Sequence, residues 1–276
     1  MMNKLLNAGF MRLRKSKIFL VLSGFMFAFG LYMSIGAYLD MKKYHYVHTL
    51  DNVFFNHIML IGIVIAVFCS LFTGTEYSDG TIRNKLIVGH SRLSIYISNL
   101  ILCIIAGISL SLCYMAACAC AGIPLLGFFQ MDLKMAARLI LCSIVISIAY
   151  TSIFTLAAML IHSKASLATV SIITAFFLML TASYLFSALS QPEMITDYTL
   201  NASGEVTQSE PVPNEFYPDG TKRKVYEFLM EFLPSGQGIL LLNGEPSYGR
   251  IIIFDCFILV SCTGIGLLAF QKKDIK

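Results

Sequence analysis

Two ionisable side chains, His57 and Asp255, stand inside stretches apolar enough to cross a bilayer. Such groups mark ion or proton paths, because charge is costly in hydrocarbon. Both fall within a turn or two of one end of their stretch. There an acid can snorkel to the surface or meet Arg250, so interfacial anchoring is the simpler expectation. The cysteines Cys69, Cys103, Cys113, Cys118, Cys120, Cys142, Cys256 and Cys262 all lie in apolar runs, and none pairs with a histidine at metal-ligand spacing. They read as small buried hydrophobes, not as a disulfide framework or a zinc site. The string Gly244–Ile251 lacks the lysine and hydroxyl of a phosphate-binding loop and contains Pro246. Neither H-E-x-x-H nor G-x-S-x-G occurs, and no pair of aspartates sits at membrane depth. No catalytic, metal or cofactor site is expected on this chain.

The sharpest polar segment is GTEYSDGTIRNKLIVGHSR, residues 74–92. Gly74 suits the end of the preceding apolar run. Ser78 and Asp79 are N-capping types, and Thr81 can serve the next turn. Thr81–Val88 then suits a short helix with Gly89 as its C-cap, and Ser91 can start the next element. On that helix Ile82 and Leu86 share a face beside Lys85, and Arg83 and Ile87 share a neighbouring one. Apolar anchors ringed by cations on a stiff element are what a protein-docking helix needs.

The elements that hold this segment are apolar. The chain has 276 residues, 57% hydrophobic and only 13% charged, against about 25% charged in a soluble domain. Lipid must be its solvent. Six runs approach the ~20 residues a spanning helix needs: 18–37, 53–73, 94–122, 139–161, 165–190 and 251–271. Residues 93–131 are uncharged but too long for one span, and Pro124 marks an exit near Gly122. The first run exceeds the ~7–15-residue core of a signal peptide and reads as a retained span.

Lysine and arginine counts in short flanks set orientation. With the N-terminus inside, the inner segments carry Lys4, Arg12, Arg14, Lys15, Lys17, Arg83, Lys85, Arg92, Lys164, Lys272, Lys273 and Lys276. The short outer loops carry only Lys42, Lys43, Lys134 and Arg138. Both termini and residues 74–92 are therefore expected on the cytoplasmic side. In residues 1–16, Leu6, Phe10 and Leu13 recur at helical spacing among cations, which predicts an interfacial amphipathic helix. His162 reads as a solvated residue of an inner loop.

Residues 191–250 form the long outer segment. Its first half is acidic and rich in Pro, Ser and Asn and reads as loop. Val225, Phe228, Leu229 and Phe232 then predict a helix ending at Pro234, and the apolar residues beyond it suit a dip into the outer leaflet. Asn201-Ala-Ser203 is a formal glycosylation sequon, too short to carry weight.

G-T-E-Y-S-D-G-T-I-R-N-K-L, followed by S-R-x-x-I-Y-x-S-N-L at Ser91–Leu100, resembles the membrane subunits of ABC-2 type exporters. The resemblance is greatest to small six-span permeases of bacterial lantibiotic or peptide export and self-protection. It implies an all-α polytopic membrane protein with one transmembrane domain over 1–276 and an interfacial helix at 1–16. A coupling helix would lie between spans 2 and 3, an extracellular helical segment before span 6, and a cytoplasmic tail at 272–276. The coupling residues would be Glu76, Tyr77, Ser78, Asp79, Gly80, Thr81, Ile82, Arg83, Asn84, Lys85 and Leu86. Glu76 and Asp79 would pair with cations of a separate ATPase chain, and Ile82 and Leu86 would anchor. Two copies of that ATPase, carrying ATP and magnesium, would join two permeases, identical or paralogous, in the bacterial cytoplasmic membrane. The cargo would be hydrophobic or amphipathic: a peptide, drug or lipid. Composition alone also admits an ATP-independent carrier or channel, and a non-transporting scaffold or sensor.

Overall fold

The computed structural model describes residues 2–45, 47–196, 198–200, 206–208, 210–243 and 247–273. The sequon at 201–203, the first residues of the Gly244–Ile251 string and Lys276 lie outside them. Eleven helices are described, in the order α1 (Met2–Lys15), α2 (Lys17–Tyr44), α3 (Leu50–Phe54), α4 (His57–Ser78), α5 (Thr81–Ile87), α6 (Arg92–Leu126), α7 (Leu133–Leu160), α8 (Lys164–Leu189), α9 (Gly220–Phe232), α10 (Pro234–Leu242) and α11 (Tyr248–Lys272). Six passes are long and apolar enough to cross a membrane: α2, α3 with α4, α6, α7, α8 and α11. The molecule is an all-α polytopic membrane protein.

The passes form two layers. α4, α7 and α6 are buried over 67%, 61% and 56% of their most apolar stretch, whereas α2, α8 and α11 reach only 17%, 22% and 22%. The inner three make the core; the outer three cover it and turn apolar faces outward, as lipid requires. α2 packs on α6, α8 on α4, and α11 on α7. Lipid offers no hydrophobic drive between helices, so close approach relies on small residues. Met26, Gly30, Ser34 and Ala37 form the buried stripe of α2. A Cβ on Gly30 would lie 2.7 Å from the Tyr114 carbonyl oxygen and 2.8 Å from the Ala117 Cβ. Hydroxyls supply the polar contacts. Ser111 and Ser147 meet at 3.1 Å between α6 and α7, and Thr151 donates back to the Ser147 carbonyl at 2.7 Å.

Several boundaries differ from the sequence reading. The second span starts at Leu50, not Val53, and breaks between α3 and α4. The Tyr114 hydroxyl donates to the Val53 carbonyl at 2.8 Å, an inserted partner of the kind that accompanies helix breaks. Pro124 does not end the third span near Gly122. It lies inside α6, which runs to Leu126 and stops at Gly127, φ 85°. Gly74 does not close the second span either, for α4 continues to Ser78. Cys120 and Cys256 lie on outward faces, so the cysteines are not uniformly buried.

The amphipathic α1 forms as expected, but the residues that it buries are Leu5 and Leu13, while Phe10 points out. Gly9 lets the helix lie directly on Leu102 of α6. In the 191–219 region, short antiparallel pairs replace featureless loop: Met194–Ile195 with Val212–Pro213, and Tyr198–Leu200 with Val206–Gln208. α9 ends before Pro234 as predicted. α10 is too short to cross; it packs on α4, α7, α8 and α9, with Gly238 against Ile58 and Ser235 donating to the Leu178 carbonyl of α8 at 2.8 Å.

Replacing Gly30 by leucine would force α2 from α6. Overpacking of this kind costs about 1–3 kcal/mol, and a lowered thermal midpoint of the lipid-embedded protein is the expected readout. Gly24, whose Cβ would meet nothing within 4 Å, is the control that should leave it unchanged.

Candidate functional site

α5 sits between two turns of defined geometry. Asp79 ends α4, its backbone N–H reaching the Thr75 carbonyl at 2.9 Å. Gly80 then takes φ 66° and is the N-cap of α5, a role the sequence suggested for Ser78 or Asp79. This left-handed conformation favours glycine. At the other end the His90 N–H bonds to the Lys85 carbonyl and the Gly89 N–H to the Leu86 carbonyl, both at 3.0 Å. With Gly89 at φ 94° this is a Schellman closure. Ser91 caps α6 by accepting from the Ser94 N–H at 3.2 Å.

One face of this segment is fastened to the bundle. Glu76, on the last turn of α4, is 3% exposed. Its Oε1 accepts from Arg12 of α1 and from Lys85 of α5, the latter at 2.5 Å, and its Oε2 accepts from Asn99 of α6 at 2.8 Å. The Arg12 guanidinium also donates to the Phe72 carbonyl at 3.0 Å and lies 3.8 Å above the Phe72 ring. Thus one carboxylate joins four helices. Ile82 is 1% exposed and packs with Leu5, Ile95, Tyr96, Met159 and Phe270, with Leu86 at the margin.

Tyr77 and Arg92 extend the fastening to the remaining neighbours. The Tyr77 hydroxyl donates to the Met159 carbonyl of α7 at 2.5 Å, and Lys273 donates to both that hydroxyl, at 2.9 Å, and that carbonyl, at 2.8 Å. Arg92 covers the end of α11, donating to the carbonyls of Phe270, at 2.8 Å, Gln271, at 3.0 Å, and Lys273. Cationic donors suit the orphan carbonyls of a helix C-terminus. Burial lowers the Lys273 amine from the ordinary 10.5 to about 8.

The other face is free. Ser78, Asp79, Arg83, Asn84, Ile87, Val88 and Gly89 are exposed, and Ile87 and Val88 each reach 72%. Thr81 is partly covered. A groove of about 450 Å³ lined by Met11, Arg12, Lys15, Ser16, Phe72 and Asp79 opens beside this face. The structure therefore divides the sequence-derived set. Glu76, Ile82 and, in part, Tyr77, Lys85 and Leu86 hold the segment to the spans, whereas Asp79, Arg83 and Asn84 face outward. Glu76 cannot serve an external cation while three internal donors hold it, nor can Ile82 anchor a partner from inside the core. Arg12, Asn99 and Lys273 were invisible as site residues because their partners are 64, 23 and 196 residues away. Ile87 and Val88 end the apolar string that begins at Leu86.

A short helix capped by two left-handed glycines is thus carried by six apolar passes of membrane-crossing length. Residues 5–188 match the family model described as ABC-2 family transporter protein. The chain belongs to this family, and so is the membrane-embedded permease component of an ABC transporter. Such a component is the transport part, not the catalytic one, and works with an ABC ATPase. No curated protein matches the chain.

Glu76→Ala strands Arg12, Lys85 and Asn99. It should lower stability by about 1–3 kcal/mol, the range for lost charge-assisted hydrogen bonds, with Glu76→Gln losing less; melting of the lipid-embedded protein checks the order. Lys273 gives a second outcome. Between its folded value, about 8, and the ordinary 10.5, the unfolded chain binds more protons, so stability rises with pH there. Lys273→Met should remove that rise from a pH series of melts.

Proposed function

We propose that this permease exports a hydrophobic or amphipathic cargo, in class a peptide, drug or lipid, across the bacterial cytoplasmic membrane, in a peptide-export or self-protection system. The whole of 1–276 acts as one transmembrane domain, with both termini cytoplasmic, α1 at the inner interface and 191–250 outside. Two ATPase chains, which bind ATP and magnesium, grip two permeases, identical or paralogous. The observation that carries the reading is the two-faced α5 segment. The face made by Asp79, Arg83, Asn84, Ile87 and Val88 is free, and the opposite face is fastened to α1, α4, α6, α7 and α11.

Ile87 and Val88 supply the apolar anchor for the ATPase cleft, and Arg83 and Asp79 set its register. Glu76, Tyr77, Ile82, Lys85 and Leu86 act from behind by holding the handle stiff. When ATP draws the ATPases together, the displacement passes through α5 into the spans without being absorbed in a slack loop. ATP drives the change only through a difference in affinity between the two arrangements. The apolar passes, with few ionisable groups, suit a greasy cargo, and the acidic 191–219 region favours one with positive charge.

The double variant Ile87→Asp/Val88→Asp should cut co-purification of the ATPase at least about tenfold, since central apolar anchors are each worth roughly 1–2 kcal/mol, while the permease still inserts and melts normally. Full ATPase recovery would overturn the docking face. ATP-dependent accumulation of a cationic amphipathic peptide in inside-out vesicles would establish direction, and accumulation without the ATPase would favour a carrier.

A further inference from the structure

At the end of the bundle opposite α5, Asp255 lies two turns into α11. It does not reach the surface as the sequence suggested. It is 2% exposed, and neither carboxylate oxygen has a hydrogen-bond partner. Arg250, one turn earlier, is committed elsewhere, donating to both oxygens of Glu231 at 2.7 and 2.8 Å. The side chain beside the carboxyl is Gln237 of α10, which is fully buried. Its Nε2 donates to the Glu231 carbonyl at 3.0 Å, leaving Oε1 unpartnered. From α7, Cys142 and Tyr150 lie within electrostatic reach of the same carboxyl, and Tyr150 lies near Ser235 of α10, whose hydroxyl donates to the Leu178 carbonyl. α6 and α9 also pack on α11 but bring no charged group into contact with Asp255. His57, the ionisable group buried in the second span, belongs to a separate cluster against Tyr114, 5.2 Å away.

Among the described residues, neither Asp255 oxygen nor the Gln237 Oε1 meets a donor at hydrogen-bonding geometry. A polar group buried without a donor is costly, and a charge more so. A proton on the carboxyl supplies the missing donor and needs no room of its own.

We propose that Asp255 is a proton-binding site, a neutral carboxylic acid that donates its O–H to the Gln237 Oε1 and so latches α10 to the sixth span. The bond exists only while the proton is present. Without it, a carboxylate faces a carbonyl oxygen and α10 loses this tie to α11, while α9 stays held to α11 through Glu231 and Arg250. Conversely, any motion that lifts α10 admits water to Asp255 and favours release of the proton. Proton occupancy and the position of α10 are therefore linked. The proposal stands independently of cargo, direction and ATPase.

The test is infrared spectroscopy of the full-length chain in lipid nanodiscs, unlabelled and with carbon-13 aspartate. Expected near neutral pH is a protonated-carboxyl band that shifts with the label, vanishes in Asp255→Asn and disappears as pH is raised. Gln237→Asn, which retracts the acceptor by one methylene, should move the band to the frequency of a free acid. Absence of an aspartate-dependent protonated band in the wild-type chain overturns the site. A band that Gln237→Asn leaves unmoved overturns the latch. Asp255→Asn should melt like the wild type, because the amide replaces the acid's single donor.

Discussion

A carboxylate drawn into the end of a membrane bundle is costly unless donors surround it, and Glu76 is surrounded by three. Each donor comes from a different helix, so the carboxylate fixes where α1, α5 and α6 lie relative to α4. Without it, α1 would be held chiefly by its packing on α6, and α5 by its glycine caps and Ile82. The contact works because its surroundings are partly dry. Arg12 is also stacked on Phe72, and Ile82 closes the space beside Lys85 with side chains from α1, α6, α7 and α11. Coulomb attraction, hydrogen bonding and apolar burial act on the same few residues there.

The two ends of the bundle solve the problem of buried charge in opposite ways. At the α5 end, acid and cation are both present and the helices are tied by ion pairs. At the α9–α10 end, Asp255 has no cation, because Arg250 is held by Glu231 on the surface. An ion pair at the first end ties four helices together. On the proposed readings, in which the ATPase grips α5 and Asp255 binds a proton, the asymmetry gives a stiff input and a labile output.

Much of this was legible in the sequence, for identifiable reasons. Six apolar runs and the basic bias of one set of flanks follow from solvent chemistry, and Gly80 and Gly89 punctuate α5 whatever surrounds it. The span ends were less legible. Nothing local tells that α4 continues past Gly74 to Ser78, since Thr75, Glu76 and Tyr77 are polar or amphipathic and their burial depends on Arg12, Asn99 and Met159. Pro124 pointed the wrong way because a proline late in a long helix loses one backbone donor without stopping the chain. Short strands in the acidic segment carry no apolar alternation to betray them. For α5 itself the sequence identified the segment but not its faces: apolar spacing makes Ile82 and Ile87 equivalent, and only packing shows that one is a root and the other a contact.

That distinction bears on how force can pass through so small an element. A seven-residue helix alone in water is too short to be stable, and docking energy applied to it would be spent on ordering it. Here the order is already supplied, by Gly80 and Gly89 at its ends and by Ile82 and Lys85 beneath it. On the proposed docking, a partner gripping Ile87 and Val88 meets a surface whose root is tied to α4 and packed with α6. If α5 is the docking element proposed above, stiffness of the root, more than affinity of the contact, decides how much of a displacement applied there reaches the spans.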